Sequence, residues 1–417
     1  MSNAASVAAR SRSLILLLLV ISVCINYIDR GNLSVAADQL SRELNMDPQQ
    51  LGKLLSSFFM TYAAFQIVAG WLVDRYNVYW VYGWGFFLWS LATAVTGWAN
   101  TFSMLFVARL VLGMAESVAY PCYSKILAGG FEEKKRGFAN AVIDAGSKCG
   151  PALGLLLGGM LIAKVGWRMM FVGIGLGSMI WLIPWVILTP KQAGRNVKTD
   201  EHVPGILEIL SKRDAWGTFL ALFCINYAWY FLLTWMPFYL VRERHYSTEM
   251  MAQLGSLPFW GVAAASLTGG ILSDRWISRG GSPTLVRKFF VVSGLCTATL
   301  MLPAAIAQNQ VFAMTLLIIA ATCFGLTSSN HWAITQTLAG PAAAGRWTGL
   351  QNGFGNLAGI AAPWFTGWIV KETGQFFYAF VATAVILLLG AAAFLFVVGP
   401  VQPVQWRGHS KSLAVNI

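Results

Sequence analysis

Apolar residues along this chain gather in twelve runs, at 14–40, 51–73, 78–98, 102–129, 137–163, 167–189, 216–240, 250–273, 285–307, 310–339, 347–370 and 375–399. Crossing the hydrocarbon core of a bilayer takes about 20 residues of helix, and each run is of that order. We number them spans 1 to 12. Polar residues are confined to short gaps, except over 190–215, where the longest polar stretch divides the runs into two sets of six. The pattern predicts an all-α membrane protein of twelve transmembrane helices: a six-helix half over 1–189, a linker over 190–215 and a second six-helix half over 216–417.

Composition narrows the classes. Hydrophobic residues make up 57% of the chain and charged residues 11%, against about 25% charged in soluble domains. That excludes a soluble enzyme, and the high hydrophobicity excludes disorder. The net charge of +12 does not point to nucleic acid, because the basic residues lie in the gaps and form no stripe. With the N-terminus inside, nineteen of the 29 Lys and Arg residues fall on the inner side, seven on the outer side and three within helices. This is the positive-inside bias, and it predicts a multi-pass protein of a cell membrane, a bacterial inner membrane, with both termini cytoplasmic. Arg10 and Arg12 before the first run resemble a signal peptide. No small-x-small cleavage pattern follows and the run continues to Leu40, so it reads as a retained first helix. The six cysteines lie in or at the ends of apolar runs with no C-x-x-C, which predicts buried thiols and neither disulfides nor a metal. No cofactor is expected, and a monomer is expected to be functional.

The halves repeat. Cys24-Ile25-Asn26-Tyr27 recurs as Cys224-Ile225-Asn226-Tyr227, and Gly70 to Asp74-Arg75 recurs as Gly270 to Asp274-Arg275, both offset by 200. Gly137, Asn140 and Pro151 recur as Gly349, Asn352 and Pro363, offset by 212. A parallel repeat of two six-helix halves implies a substrate path at their interface near the midplane.

Charges inside membrane helices are costly and are functional hypotheses by default. They are lopsided here: Asp29 and Arg30 in span 1, Arg109 and Glu116 in span 4, Asp144 and Lys148 in span 5, with His331 the ionisable candidate of the second half. At 1.5 Å per residue, Asp29 lies about 22 Å along span 1 and Arg109 about 10 Å from the outer end of span 4, which puts them at similar depth. Glu116 is about 10 Å deeper on the same helix face. Two readings are open. Asp29–Arg30 and Arg109–Glu116 are pairs that only tolerate burial, or an anion takes an arginine and leaves an acid to bind a proton, which is symport logic.

The G-x-x-x-D-R sequence after span 2, repeated after span 8, resembles the major facilitator superfamily and implies its fold. Asp74, Arg75, Asp274 and Arg275 would then act in conformation by closing inner turns. Asn26-Tyr27-Ile28-Asp29-Arg30, Tyr62 and Arg109-x6-Glu116 resemble the anion:cation symporter family, which includes sugar-acid transporters and vesicular glutamate transporters. The resemblance implies a proton-coupled symporter of a small organic anion, working by alternating access. Asp29 and Glu116 would be proton sites and Arg109 the carboxylate site, with Arg30 binding or gating the anion. Tyr27 and Tyr62 would donate hydrogen bonds, and Asn352 or Asn356 would contact hydroxyls.

One departure from that family is Asp144-Ala-Gly-Ser147-Lys148, where sugar-acid members often have a neutral polar residue. Asp144 and Lys148, at i and i+4, share a helix face. Either they pair with each other or Lys148 meets a second anionic group. Gly146-x3-Gly150-Pro151-x2-Gly154 partly resembles the span 5 motif of drug/proton antiporters, although Leu155 stands where that motif has another glycine. An antiporter exporting drugs or an organic anion is therefore the alternative. Tyr227 and Tyr230, one turn apart in span 7, form a candidate cavity face, and His331 is read as a helix-packing residue in preference to a ligand. An enzyme or sensor would need a catalytic constellation or a signalling domain, and neither is legible.

Overall fold

A computed structural model describes residues 2–130, 133–189 and 204–406, with side chains described except at 2–12, 67, 74, 128–130, 133–138, 140–141 and 341–342. Most of the 190–215 linker, the last eleven residues and the Asp74 side chain therefore lie outside the described residues. Among the described residues the regular elements are all helical, and helices cover all twelve runs. Nine helical stretches are long and apolar enough to cross a membrane, and the stretch over Val142–Leu188 holds both spans 5 and 6.

The turns follow local chemistry. Span 1 belongs to helix Ser2–Glu43 and span 2 to helix Pro48–Arg75. The second begins with a capping box: Gln50 N donates to Asp47 Oδ1 at 2.7 Å, Asp47 N donates to Gln50 Oε1 at 3.0 Å, and Pro48 occupies the first turn, where its missing N–H costs nothing. Span 5 turns into span 6 at Gly166 (φ 78°), and span 11 turns into span 12 near Gly374 (φ 70°). Asn45 (φ 50°) after span 1 and His245 (φ 56°) after span 7 hold the same left-handed conformation at an offset of 200. The internal repeat is thus written into backbone turns as well as motifs.

By contacts the chain forms two compact units. Unit 1 is Met1–Val197, Tyr230–Trp260 and Ile360–Tyr378; unit 2 is Lys198–Trp229, Gly261–Gly359 and Ala379–Ile417. In unit 1, span 5 lies against span 1 through glycines. A Cβ on Gly150 would sit 2.6 Å from Tyr27 Cβ and 2.9 Å from the Cys24 carbonyl, and one on Gly154 would sit 3.1 Å from Ile28 Cα. The motif that resembles an antiporter signature is therefore a packing stripe, on which small residues let helix backbones meet. Unit 1 also joins spans 1 and 2 to the outer ends of spans 7 and 11. Ser34 Oγ donates to the Leu233 carbonyl at 2.7 Å, Ser56 Oγ to Ile360 O at 2.9 Å and Trp235 Nε1 to Pro363 O at 3.1 Å. At the rim, Arg242 pairs with Asp38 at 2.5 Å and Lys371 with Asp47 at 3.1 Å.

In unit 2, Asp274 of the repeated motif pairs with Arg287 at 2.7 Å, and the same guanidinium donates to Ser273 Oγ at 2.9 Å and Asn330 Oδ1 at 3.1 Å. The motif acid thus ties the ends of spans 8, 9 and 10 together. Arg275 is exposed, and Arg75 in unit 1 is exposed with its guanidinium 5.7 Å from the Trp71 ring.

Gly150→Ala is expected to lower the melting temperature in detergent by an overpacking cost of about 1–3 kcal/mol. Gly177→Ala, where a Cβ meets nothing within 4 Å, should leave it unchanged. Equal melting temperatures for both variants would contradict the packing account.

Candidate functional site

The charged side chains of spans 1 and 4 meet inside unit 1. Span 4 runs as helix Phe102–Glu116 and resumes as Ala119–Gly130, so it breaks immediately after Glu116. Asp29, Arg30, Arg109 and Glu116 are all buried. Arg30 Nε pairs with Glu116 Oε2 at 2.8 Å. Arg109 reaches the Asp29 backbone carbonyl through Nη1 at 3.4 Å. Neither the Asp29–Arg30 nor the Arg109–Glu116 pairing open in the sequence is formed. Consecutive residues on a helix diverge by about 100°, so Asp29 and Arg30 face different neighbours, and the longer side chain takes the deeper acid.

The two arginines differ sharply in surroundings. Arg30 has the Glu116 carboxylate and three ring faces, with its guanidinium 4.8 Å from Tyr27, 5.1 Å from Phe58 and 4.5 Å from Tyr62. Arg109 has one ring, Phe58 at 5.1 Å, and the long carbonyl contact; its Nε has no hydrogen-bond partner. Among the described residues Arg109 makes no ion pair. Asp29 is the counterpart acid without a cation. Its Oδ1 receives only Asn32 Nδ2 at 3.4 Å, and its Oδ2 is buried without a hydrogen bond. Four charges therefore resolve into one satisfied pair, one uncommitted guanidinium and one uncommitted carboxyl.

Several members of this cluster were not singled out in the sequence. Phe58 stacks on Tyr62 with centroids 5.3 Å apart, Tyr120 shares a hydroxyl hydrogen bond with Tyr27 at 3.1 Å, and Phe59 meets Tyr230 of span 7 at 4.4 Å. Their signal is helical spacing: Phe58 is one turn from Tyr62, and Tyr120 one turn from Glu116. Asn26 is fully buried on span 1, with neither amide atom hydrogen-bonded.

The remaining candidates lie elsewhere. On span 5, Asp144 is exposed and accepts from Ser147 Oγ at 3.5 Å, while Lys148 is half-buried. Tyr227, Asn352 and Asn356 belong to unit 2. Tyr227 is buried there, and Asn356 Nδ2 donates to the Asn352 carbonyl at 2.9 Å. His331 is buried with Nδ1 3.0 Å from the Thr327 carbonyl, the arrangement of a helix-packing histidine. Among the described residues no group of three His, Cys, Asp or Glu is placed to hold a metal.

Residues 19–363 match the family described as the Major Facilitator Superfamily. The chain is 30% identical over 428 residues to the probable galactarate/D-glucarate transporter GarP of Escherichia coli K12, covering 95% of this chain and 96% of that protein. It is 28% identical over 405 residues to the probable sulfoacetate transporter SauU of Cupriavidus necator, covering 93% and 94%. It is also 28% identical over 403 residues to the hexuronate transporter of Bacillus subtilis, again covering 93% and 94%. Among solved structures, a bacterial homolog of the human lysosomal transporter Spinster, in an inward-facing and unoccupied conformation, superposes with a TM-score of 0.79. Its sequence identity is 19%, with 93% of this chain and 97% of that one covered.

Removing one partner of a buried ion pair strands the other charge and costs about 3–5 kcal/mol. Arg30→Gln is therefore expected to lower the melting temperature of the purified protein strongly. Arg109→Gln removes a buried cation that has no counter-ion and should leave that temperature unchanged or raise it. The reverse order of the two variants would contradict the assignment of partners.

Proposed function

This chain belongs to the Major Facilitator Superfamily, a multi-pass membrane transporter family, and from that premise we propose that it carries a small organic anion, a sugar acid or related carboxylate, together with protons. The observation that carries the reading is Arg109: a buried guanidinium with a ring on its face, no carboxylate and an open Nε. A guanidinium edge offers two parallel N–H groups that match a carboxylate. The transporters named for galactarate/D-glucarate, sulfoacetate and hexuronate all carry at least one such anion, which supports the class.

Coupling follows from charge. A carboxylate seated on Arg109 brings negative charge beside the Asp29 backbone, 3.4 Å from the same guanidinium. A buried, unpaired carboxyl at Asp29 is then relieved by taking a proton. Anion and proton each make the other's binding easier, and moving both together by alternating access is symport. Glu116 is the second proton site: its pair with Arg30 opens when that arginine turns to the anion, leaving the acid to protonate. Tyr27 and Tyr62 line the Arg30 side. Tyr227, Asn352 and Asn356 are retained as proposed hydroxyl contacts. Asp74, Arg75, Asp274 and Arg275 act in the conformational cycle, and Asp144 through its neighbour Lys148. The functional protein is a monomer in a bacterial inner membrane with both termini cytoplasmic.

Lys148 bears on substrate size. Galactarate and D-glucarate are diacids and sulfoacetate carries a sulfonate besides its carboxylate, so these relatives' substrates have two anionic groups. A half-buried lysine on span 5 suits the second group.

Two outcomes are expected in proteoliposomes. Asp29→Asn and Glu116→Gln should each retain counterflow exchange of labelled galactarate yet lose accumulation driven by an inward proton gradient. Full gradient-driven uptake by either variant would remove that acid from the coupling path. Lys148→Gln should weaken galactarate roughly tenfold, the scale of a lost charge-assisted hydrogen bond, while sparing the monoacid galactonate. Equal effects on both would remove Lys148 from the site.

A further inference from the structure

We propose that Phe58 is a positioning and specificity-determining residue: its ring holds the Arg109 guanidinium by the face, so that the guanidinium's edge stays open for a substrate carboxylate. The inference rests on the reading of Arg109 as the anion site and adds to it a residue that neither the charge pattern nor the family motif contains.

Three observations carry it. First, Phe58 has both guanidinium groups over its ring, Arg30 and Arg109 each at 5.1 Å. A cation is attracted to the negative face of an aromatic ring, and the attraction leaves the cation's charge and its in-plane N–H groups unspent. A carboxylate in the same place would consume both. Secondly, the ring is held on a stiff mount. A Cβ on Gly113 would collide with the Phe58 carbonyl, and Thr61 Oγ1 donates to the Leu110 carbonyl at 2.7 Å. Span 2 is thus clamped to span 4 between Arg109 and Glu116, and the Phe58 backbone has no room to shift relative to Arg109. Thirdly, Phe58 stacks on Tyr62 at 5.3 Å and 20° and meets Phe59 edge-on at 4.9 Å, which fixes the plane of its ring.

The consequence is a division of labour at one arginine. The face of Arg109 goes to Phe58, one Nη rests on the Asp29 carbonyl, and the unpartnered Nε edge is offered outward. A ligand carboxylate meets a guanidinium already oriented, with little ordering left to lose on binding. Because Arg30 shares the ring, Phe58 also separates the two positive charges with a neutral body, so that only one of them needs the Glu116 carboxylate.

The test replaces Phe58 in the full-length protein with phenylalanines carrying one, two and three ring fluorines. These keep the ring's shape while draining its negative face. Galactarate affinity is read by calorimetry, with Arg109→Gln run alongside and the melting temperature of every variant recorded. The expected result is a stepwise fall in affinity, roughly 3- to 30-fold at three fluorines, with melting temperatures held near wild type and Phe58→Trp binding at least as well as wild type. Affinity that is flat or rising along the fluorine series, while Arg109→Gln abolishes binding, overturns the role of Phe58 and leaves the anion site standing. Unchanged affinity in Arg109→Gln overturns the anion site itself, and the proposal with it.

Discussion

A positive charge kept inside an apolar helix bundle without a counter-ion is the condition on which the rest of this structure turns. Stranding a charge in such a place costs several kcal/mol, and a protein that needed only stability would pair Arg109 or replace it. The bundle shows the alternative a few ångströms away, where Arg30 and Glu116 meet at 2.8 Å. Arg109 instead has a ring face and a backbone carbonyl, partners that tolerate the charge without neutralising it. That incomplete satisfaction belongs to a site that awaits an anion, and Asp29, equally uncommitted, is its natural proton-binding partner.

The surrounding packing explains how such a cluster stays in place. Glycines on span 5 bring it against span 1 at the level of Tyr27 and Ile28, flanking Asp29 and Arg30. Gly113 and Thr61 do the same for spans 2 and 4 beside Arg109. The charged residues therefore project from backbones with little freedom, and their distances are set by helix contact. Toward the outer side, hydroxyl-to-carbonyl bonds from Ser34 and Ser56 and the rim pairs Asp38–Arg242 and Asp47–Lys371 hold spans 1 and 2 to the ends of spans 7 and 11. Interactions of this kind are individually modest and can be exchanged, as moving parts require.

The architecture was legible in the sequence because a membrane leaves no choice: every spanning segment must be a long apolar helix, and twelve such runs are plain to see. The inventory of charges was equally legible, since burying them is rare and purposeful. Their pairing was not. Neighbours in sequence point about 100° apart on a helix, so Asp29 and Arg30 part company and Arg30 finds Glu116 on another span. Phe58 carried no signal among 26 phenylalanines, because a neutral ring reveals a polar role only through what lies over its face. The 200-residue repeat was visible in motifs, but its echo in the left-handed turns at Asn45 and His245 needed backbone angles. The assembly of spans 7 and 11 into the same compact unit as spans 1 to 6 follows from tertiary packing, which hydropathy does not encode.

The account stands most directly on the affinity of Arg109→Lys for galactarate, measured by calorimetry on the purified protein. Lysine keeps the charge but loses the planar pair of N–H groups, so binding roughly 10- to 100-fold weaker than wild type is predicted, on the scale of a charge-assisted hydrogen bond. An unchanged dissociation constant would contradict the claim that this uncommitted guanidinium is where the anion binds.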